Sequence, residues 1–170
     1  MRLRSQIFVL LFLLAIFIAV RFDVPTKVKF GATNLIYGDE MRSFRGFRLF
    51  VESLIPELEK EGLTREMILR ELTTRLEKAG IKSLGQAEWQ KTPGKPALNV
   101  LVNATKTGDG RYQYSVTIEV GKSELLSSGA YSEKIKAIWT SSGMGEGDVA
   151  DIRATINEEA GFFLKSHSSS

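Results

Sequence analysis

The sequence predicts an α+β fold: an antiparallel sheet of about four strands with two helices on one face, preceded by one N-terminal transmembrane helix. Three observations predict it. Two segments, near 64–80 and 148–164, repeat apolar residues at helical spacing. Segments near 46–52, 97–105, 111–120 and 132–140 alternate at a period of two, as half-buried strands do. The run IFVLLFLLAIFIAV, Ile7 to Val20, holds no polar side chain. The chain of 170 residues then divides into an anchor or uncleaved signal (1–24), a tether (25–45), one α+β domain (46–165) and a polar tail (166–170).

The anchor is assigned to Ile7, Phe8, Val9, Leu10, Leu11, Phe12 and Leu13, continuing through Leu14, Ala15, Ile16, Phe17, Ile18, Ala19 and Val20. As a helix this run spans about 21 Å against a hydrocarbon core of roughly 30 Å. Snorkelling by Arg4 and Arg21, with Phe22 and Val24 extending the apolar surface as far as Pro25, makes up much of the difference. A removable signal peptide is the competing reading, since Arg2, Arg4 and the run meet its first two requirements. Its third requirement fails: cutting after Ala19 places Phe17 at −3, and cutting after Ala15 places Leu13 there. Arg2, Arg4, Arg21, Lys27 and Lys29 are expected at the membrane interface. The body is expected outside the cytoplasm, because an N-terminal hydrophobic segment of this layout exports the domain C-terminal to it.

Within 25–45, Val28 to Phe30 can form a short strand, and an edge strand of the main sheet is the alternative to a tether. GFRLFVESLIP places Phe47, Leu49 and Val51 opposite Arg48, Phe50 and Glu52, and Pro56 helps to end the strand. In GLTREMILRELTTRLEKAGI, Thr64 is the N-cap, Leu63 and Ile68 form a hydrophobic staple, and Leu69, Leu72, Leu76 and Ala79 make an apolar stripe. Gly80 supplies a left-handed C-cap with Ile81 packed beneath it. KTPGKP is a turn. ALNVLVNAT and RYQYSVTIEV come next as strands joined by TGDG, with Leu98, Val100, Val102 and Ala104 facing inward on the first. Tyr112, Tyr114, Val116, Ile118 and Val120 face inward on the second. Around 132–140 the expected inner set is Ile135, Ala137 and Trp139. A last helix after Asp148 turns Val149, Ile152, Ile156 and Phe163 inward and Glu158 and Glu159 outward.

The net charge of +3 does not point to nucleic acid. Residues 1–45 carry seven basic side chains against three acidic ones, which leaves 16 basic and 17 acidic residues for the rest of the chain. The excess therefore surrounds the apolar run, where it suits anionic headgroups better than a duplex. With no cysteine, disulfides, thiolate chemistry and cysteine zinc sites are excluded. SSGMGEGD, Ser141 to Asp148, has G-x-G-x-G spacing without a Walker lysine, and reads as a mobile connection into the last helix. Glu146, Asp148 and Asp151 lack the spacing of a calcium loop and read as helix-capping acids. His167, the one histidine, reads as part of a frayed end. No catalytic, cofactor-binding or metal-binding residue is assigned.

The blocks FRGFRLFVESL, GLTREMILRELTTRLEKAGI, PGKPALNVLVNATKTGDGRYQYSVTIEV and IWTSSGMGEGD resemble a family of small, exported bacterial envelope proteins of α+β fold with no assigned activity. The resemblance covers roughly 44–164 and rests on block order, so it implies a domain outside the cytoplasmic membrane and no particular site residue. The expected function is a non-enzymatic accessory subunit, single-pass in the inner membrane of a bacterium, with its periplasmic domain docked on a larger membrane protein complex. Lipid bilayer and that complex are the expected partners, with no nucleic acid, cofactor or identified small-molecule substrate. The alternative is a free periplasmic binding protein, its signal peptide removed, that uses the sheet face opposite the helices, where Leu101 would sit.

Overall fold

The computed structural model describes residues 27–30, 38–125 and 133–168. The anchor Ile7 to Val20, with Arg2, Arg4 and Arg21, lies outside the described residues. Strands are β1 (Lys27–Phe30), β2 (Gly46–Val51), β3 (Lys82–Ser83), β4 (Ala97–Lys106), β5 (Tyr112–Leu125) and β6 (Glu133–Gly147). Helices are α1 (Gly38–Ser43), α2 (Pro56–Lys60), α3 (Arg65–Lys78), α4 (Gln86–Lys91) and α5 (Val149–Ser168). Among the described residues no helix is long and apolar enough to cross a membrane.

The α+β class stands, but the sheet is mixed where an antiparallel one of about four strands was expected. Its order is β1-β6-β5-β4-β2-β3, five strands extended at one edge by the two-residue β3. The three long strands β4, β5 and β6 form an antiparallel meander, whereas β2 runs parallel to β4 with Leu49 opposite Leu98. The cause is the connection. Between β2 and β4 the chain passes through α3, and a helical crossover returns a strand in the same direction.

Each major element forms for local reasons. Thr64 Oγ1 accepts the Met67 backbone N–H at 3.2 Å and starts α3, with Leu63 and Ile68 both buried across the cap. Gly80, at φ +75°, ends it, and the Ile81 N–H reaches back to the Leu76 carbonyl at 2.9 Å. The buried stripe of α3 is Ile68, Leu72 and Leu76, while Ala79 is exposed beyond the end of the helix. Pro56 does more than stop β2, since it opens α2, whose Leu58 is fully buried.

The helices α3 and α5 cover the same face of the sheet. Arg75 of α3 donates to the Asn157 carbonyl at 2.6 Å and to Asn157 Oδ1 at 2.8 Å, and Arg153 of α5 pairs with Glu71 of α3. Beneath them Phe163 meets Phe47 and Trp139 edge to face, with ring centroids 5.4 and 5.5 Å apart. Tyr112, Tyr114 and Trp139 are buried in this core.

Strand β6 departs from its expected pattern in two ways. A bulge pairs Val120 with Trp139 but Gly121 with Ala137, so Ile138 is an extra residue. Ile138 and Trp139 are both buried and Ala137 is only half-buried, which breaks the strict alternation expected there. The strand also runs on through Gly147, so Ser141–Gly147 is paired sheet and not a mobile connection. Its glycines answer to packing: a Cβ on Gly143 would lie 2.8 Å from both Glu159 Oε1 and Thr155 Cγ2 of α5.

The packed unit extends past the boundaries expected at both ends. Lys27–Phe30 pairs antiparallel with β6 as an edge strand, and Met41 of α1 is buried in the core, so the segment 25–45 is not simply a tether. At the other end α5 continues to Ser168, into the expected polar tail. His167 is not frayed: its Nε2 lies 3.0 Å from the Phe44 carbonyl oxygen and its ring packs on Phe47 and Phe163.

Candidate functional site

The sheet face away from α3 and α5 carries Arg48 and Phe50 of β2, with Glu52 just beyond its end, then Asn99 and Leu101 of β4, as alternation with the buried residues requires. Leu101 is half-buried there, the position expected of it. Among the described residues the short helix α4 lies against β2 on this side, and its Trp89 packs on Phe50 edge to face, with centroids 5.7 Å apart. Phe50 is one of few large apolar side chains left exposed among the described residues.

A groove of about 380 Å³ opens beside this pair, lined by Phe50, Val51, Trp89, Ala97, Asn99 and Ser123, with Glu52 and Lys95 as its charged members. That volume lies within the range of small-ligand pockets, and apolar walls with a few polar groups are their usual lining. The backbone at Lys95 has φ +40°, the one described non-glycine residue with positive φ. Such a conformation costs about 1–3 kcal/mol and persists only where neighbours enforce it. Here the Lys95 N–H is bound to the Thr92 carbonyl at 3.0 Å, and the adjoining Gly94 carbonyl accepts from the Ser123 N–H at 2.7 Å.

Arg48 stands at the aromatic pair. Its guanidinium carbon lies 5.1 Å from the Phe50 ring centre and 5.8 Å from that of Trp89. Arg48 Nε and Trp89 Nε1 are both buried without a hydrogen-bond partner among the described residues, as is Trp139 Nε1 in the core on the other face.

A second polar cluster lies at the turn end of the β4–β5 hairpin. Glu61 Oε1 accepts from Lys106 Nζ at 2.6 Å and from the Tyr112 hydroxyl at 2.9 Å. The Lys106 hydrogen bond, aided by Tyr112, holds the Glu61 carboxyl below the usual glutamate range. The Glu61 bond correspondingly raises Lys106, while burial first and Glu61 second raise the Tyr112 phenol. The cluster ties the turn after α2 to the hairpin end.

The acids considered as cation ligands are engaged in the fold. Glu146 pairs with Arg111 at 2.9 Å, and Asp148 Oδ1 caps α5 by accepting from Ala150 and Asp151 N–H groups at 2.8 and 3.1 Å. Among the described residues there is no group of His, Cys, Asp and Glu that could hold a metal ion. Of the expected membrane-interface residues, Lys27 and Lys29 fall in β1, and the others are not described. Sequence reasoning passed over Arg48, Phe50 and Trp89 as a site. The available signal was Phe50, a large aromatic on the polar phase of its strand.

Comparison with known proteins adds a distant likeness. No family model and no curated protein matches the chain. Among solved structures, a PelC variant dodecamer from Paraburkholderia phytofirmans is similar at 15% identity and a TM-score of 0.41, covering 85% of this chain and 99% of that one.

Proposed function

We propose that this chain is a non-enzymatic accessory subunit, anchored by Ile7 to Val20 in the inner membrane of a bacterium, whose periplasmic α+β domain docks on a larger membrane protein complex. The observation that carries the docking surface is the largely apolar groove walled by Phe50, which is exposed, and Trp89, with the Arg48 guanidinium beside both rings. Aromatic residues and arginine are what interface centres are enriched in. The uninterrupted apolar run, the basic residues beside it and the lack of a cleavage pattern support retention in the membrane.

Native membranes solubilised in mild detergent and fractionated by size test this reading. The full chain co-migrates with a larger assembly, and a Phe50→Ala, Trp89→Ala double variant releases it. Elution of the unaltered chain as a lone monomer overturns the proposal.

The groove's small-ligand volume favours a second reading, a free periplasmic binding protein. The intact mass of the mature protein separates the two. Loss of the residues up to about the end of the apolar run selects the free form.

A further inference from the structure

We propose that the groove docks a basic, amphipathic segment of the partner protein: an apolar side chain seats against Phe50, Val51, Trp89 and Ala97, and a lysine or arginine next to it pairs with Glu52. This deepens the docking reading above and rests on it. Glu52 and Lys95 are the charged side chains of the lining, and they are not equivalent. Lys95 is already engaged. Glu52 is exposed, and its carboxylate has no hydrogen bond or ion pair with any described residue. A free carboxylate at the rim of an apolar groove attracts a cation and repels an acid, so it selects which segments can seat there.

The strand register separates the charges. Strand β2 runs parallel to β4, with Arg48 opposite Ala97 and Val51 opposite Val100. Lys95, two residues before Ala97, therefore lies at the Arg48 end, whereas Glu52, whose N–H reaches the Val100 carbonyl at 3.0 Å, lies at the other. Four residues of extended chain put the backbones of Arg48 and Glu52 about 13 Å apart, more than the screening length of about 8 Å at physiological salt. A cation seated at the Glu52 end thus meets the acid first. Phe50 and Asn99, opposite each other in the register, stand between the two ends and offer an aromatic ring and a neutral amide.

The two tryptophans make the test direct, because Trp89 lies at the groove and Trp139 in the core of the opposite face. The full chain in uncharged detergent micelles, carrying 15N-indole tryptophan, is titrated at low salt with the acetylated amides of phenylalanyl-lysine, phenylalanyl-glutamine and phenylalanyl-glutamate. Each shifts the Trp89 indole signal saturably. The lysine peptide binds about two- to fivefold more tightly than the glutamine peptide, the margin of an exposed ion pair, and the glutamate peptide binds most weakly. High salt narrows that margin. Glu52→Gln removes it, and Glu52→Lys makes the glutamate peptide the tightest of the three, while an unmoved Trp139 signal reports an intact core. Equal binding of the lysine and glutamine peptides, a margin that survives Glu52→Gln, or no shift of Trp89 with any peptide overturns the proposal. If no peptide shifts Trp89 while the Phe50 and Trp89 double variant still releases the assembly, this inference alone falls. If the margin is found while the double variant leaves co-migration intact, the docking reading falls and the groove's preference for a basic segment stands.

Discussion

Ser141 of β6 donates its hydroxyl hydrogen to Glu159 of α5 inside the protein, where the two residues are 2% and 3% exposed. A carboxylate in such a place is tolerated because it is hydrogen-bonded, and each lost partner leaves a desolvated oxygen behind. Ser141→Ala is therefore expected to destabilise the domain by about 1–3 kcal/mol. Urea unfolding at neutral pH measures it, and a change under a few tenths of a kcal/mol sinks the idea that this contact holds the helix to the sheet.

Gly143→Ala tests the same junction sterically. The added methyl meets a buried carboxylate and a β-branched side chain, neither of which can swing into solvent, so the helix must shift. A loss of about 1–3 kcal/mol is expected by analogy with overpacked cores. Gly108→Ala serves as the control, since nothing lies within 4 Å of its added Cβ. Comparable losses for both would refute the close-approach explanation.

Removing the cap of α3 should cost less than breaching the core. Thr64→Ala leaves the Met67 N–H without its side-chain acceptor and is expected to cost about 0.5–2 kcal/mol. Thr64→Ser restores most of it, because the serine hydroxyl accepts in the same place. Thermal and urea denaturation of the three proteins would show that order, and a serine variant no better than alanine contradicts it.

The Glu61 cluster predicts how stability depends on pH. Glu61 titrates below its unfolded value, so its contribution is fully present above the ordinary glutamate pKa of about 4.3 and is lost as pH falls through the lower folded value. Lys106 titrates above its unfolded value, so its part is complete below about 10.4 and disappears as pH rises through the higher folded value. Glu61→Gln should flatten the acid limb of a stability–pH profile and return Lys106 toward its ordinary range. An acid limb of unchanged steepness in Glu61→Gln argues that other carboxylates govern it.

Much of the fold was legible because its signals are local. Thr64, Leu63, Ile68, Gly80 and Ile81 mark both ends of α3 within a few residues, and the hairpin 107–110 announces itself by its glycines. Leu98 to Val102 and Tyr112 to Val120 alternate because one face of each strand is wet and the other dry. Glu159 misled because its polarity argues for solvent, and a partner as distant in the chain as Ser141 helps to make its burial tolerable. Ile138 misled because a bulge adds a residue without altering composition.

The sequence by itself determined the α+β class, the caps of the main helix and the meander of β4 to β6, all of which depend on neighbours within a turn or a hairpin. Tertiary structure alone decided that β2 runs parallel to β4, that Gly143 serves α5, and that Phe50 and Trp89 wall one groove with Arg48 beside their rings. Trp89 is 39 residues beyond Phe50 in the chain and reaches it only because α4 folds back over the open face of the sheet. Contacts between residues so far apart leave no periodic trace in either segment, since each residue's local pattern is set by its own strand or helix.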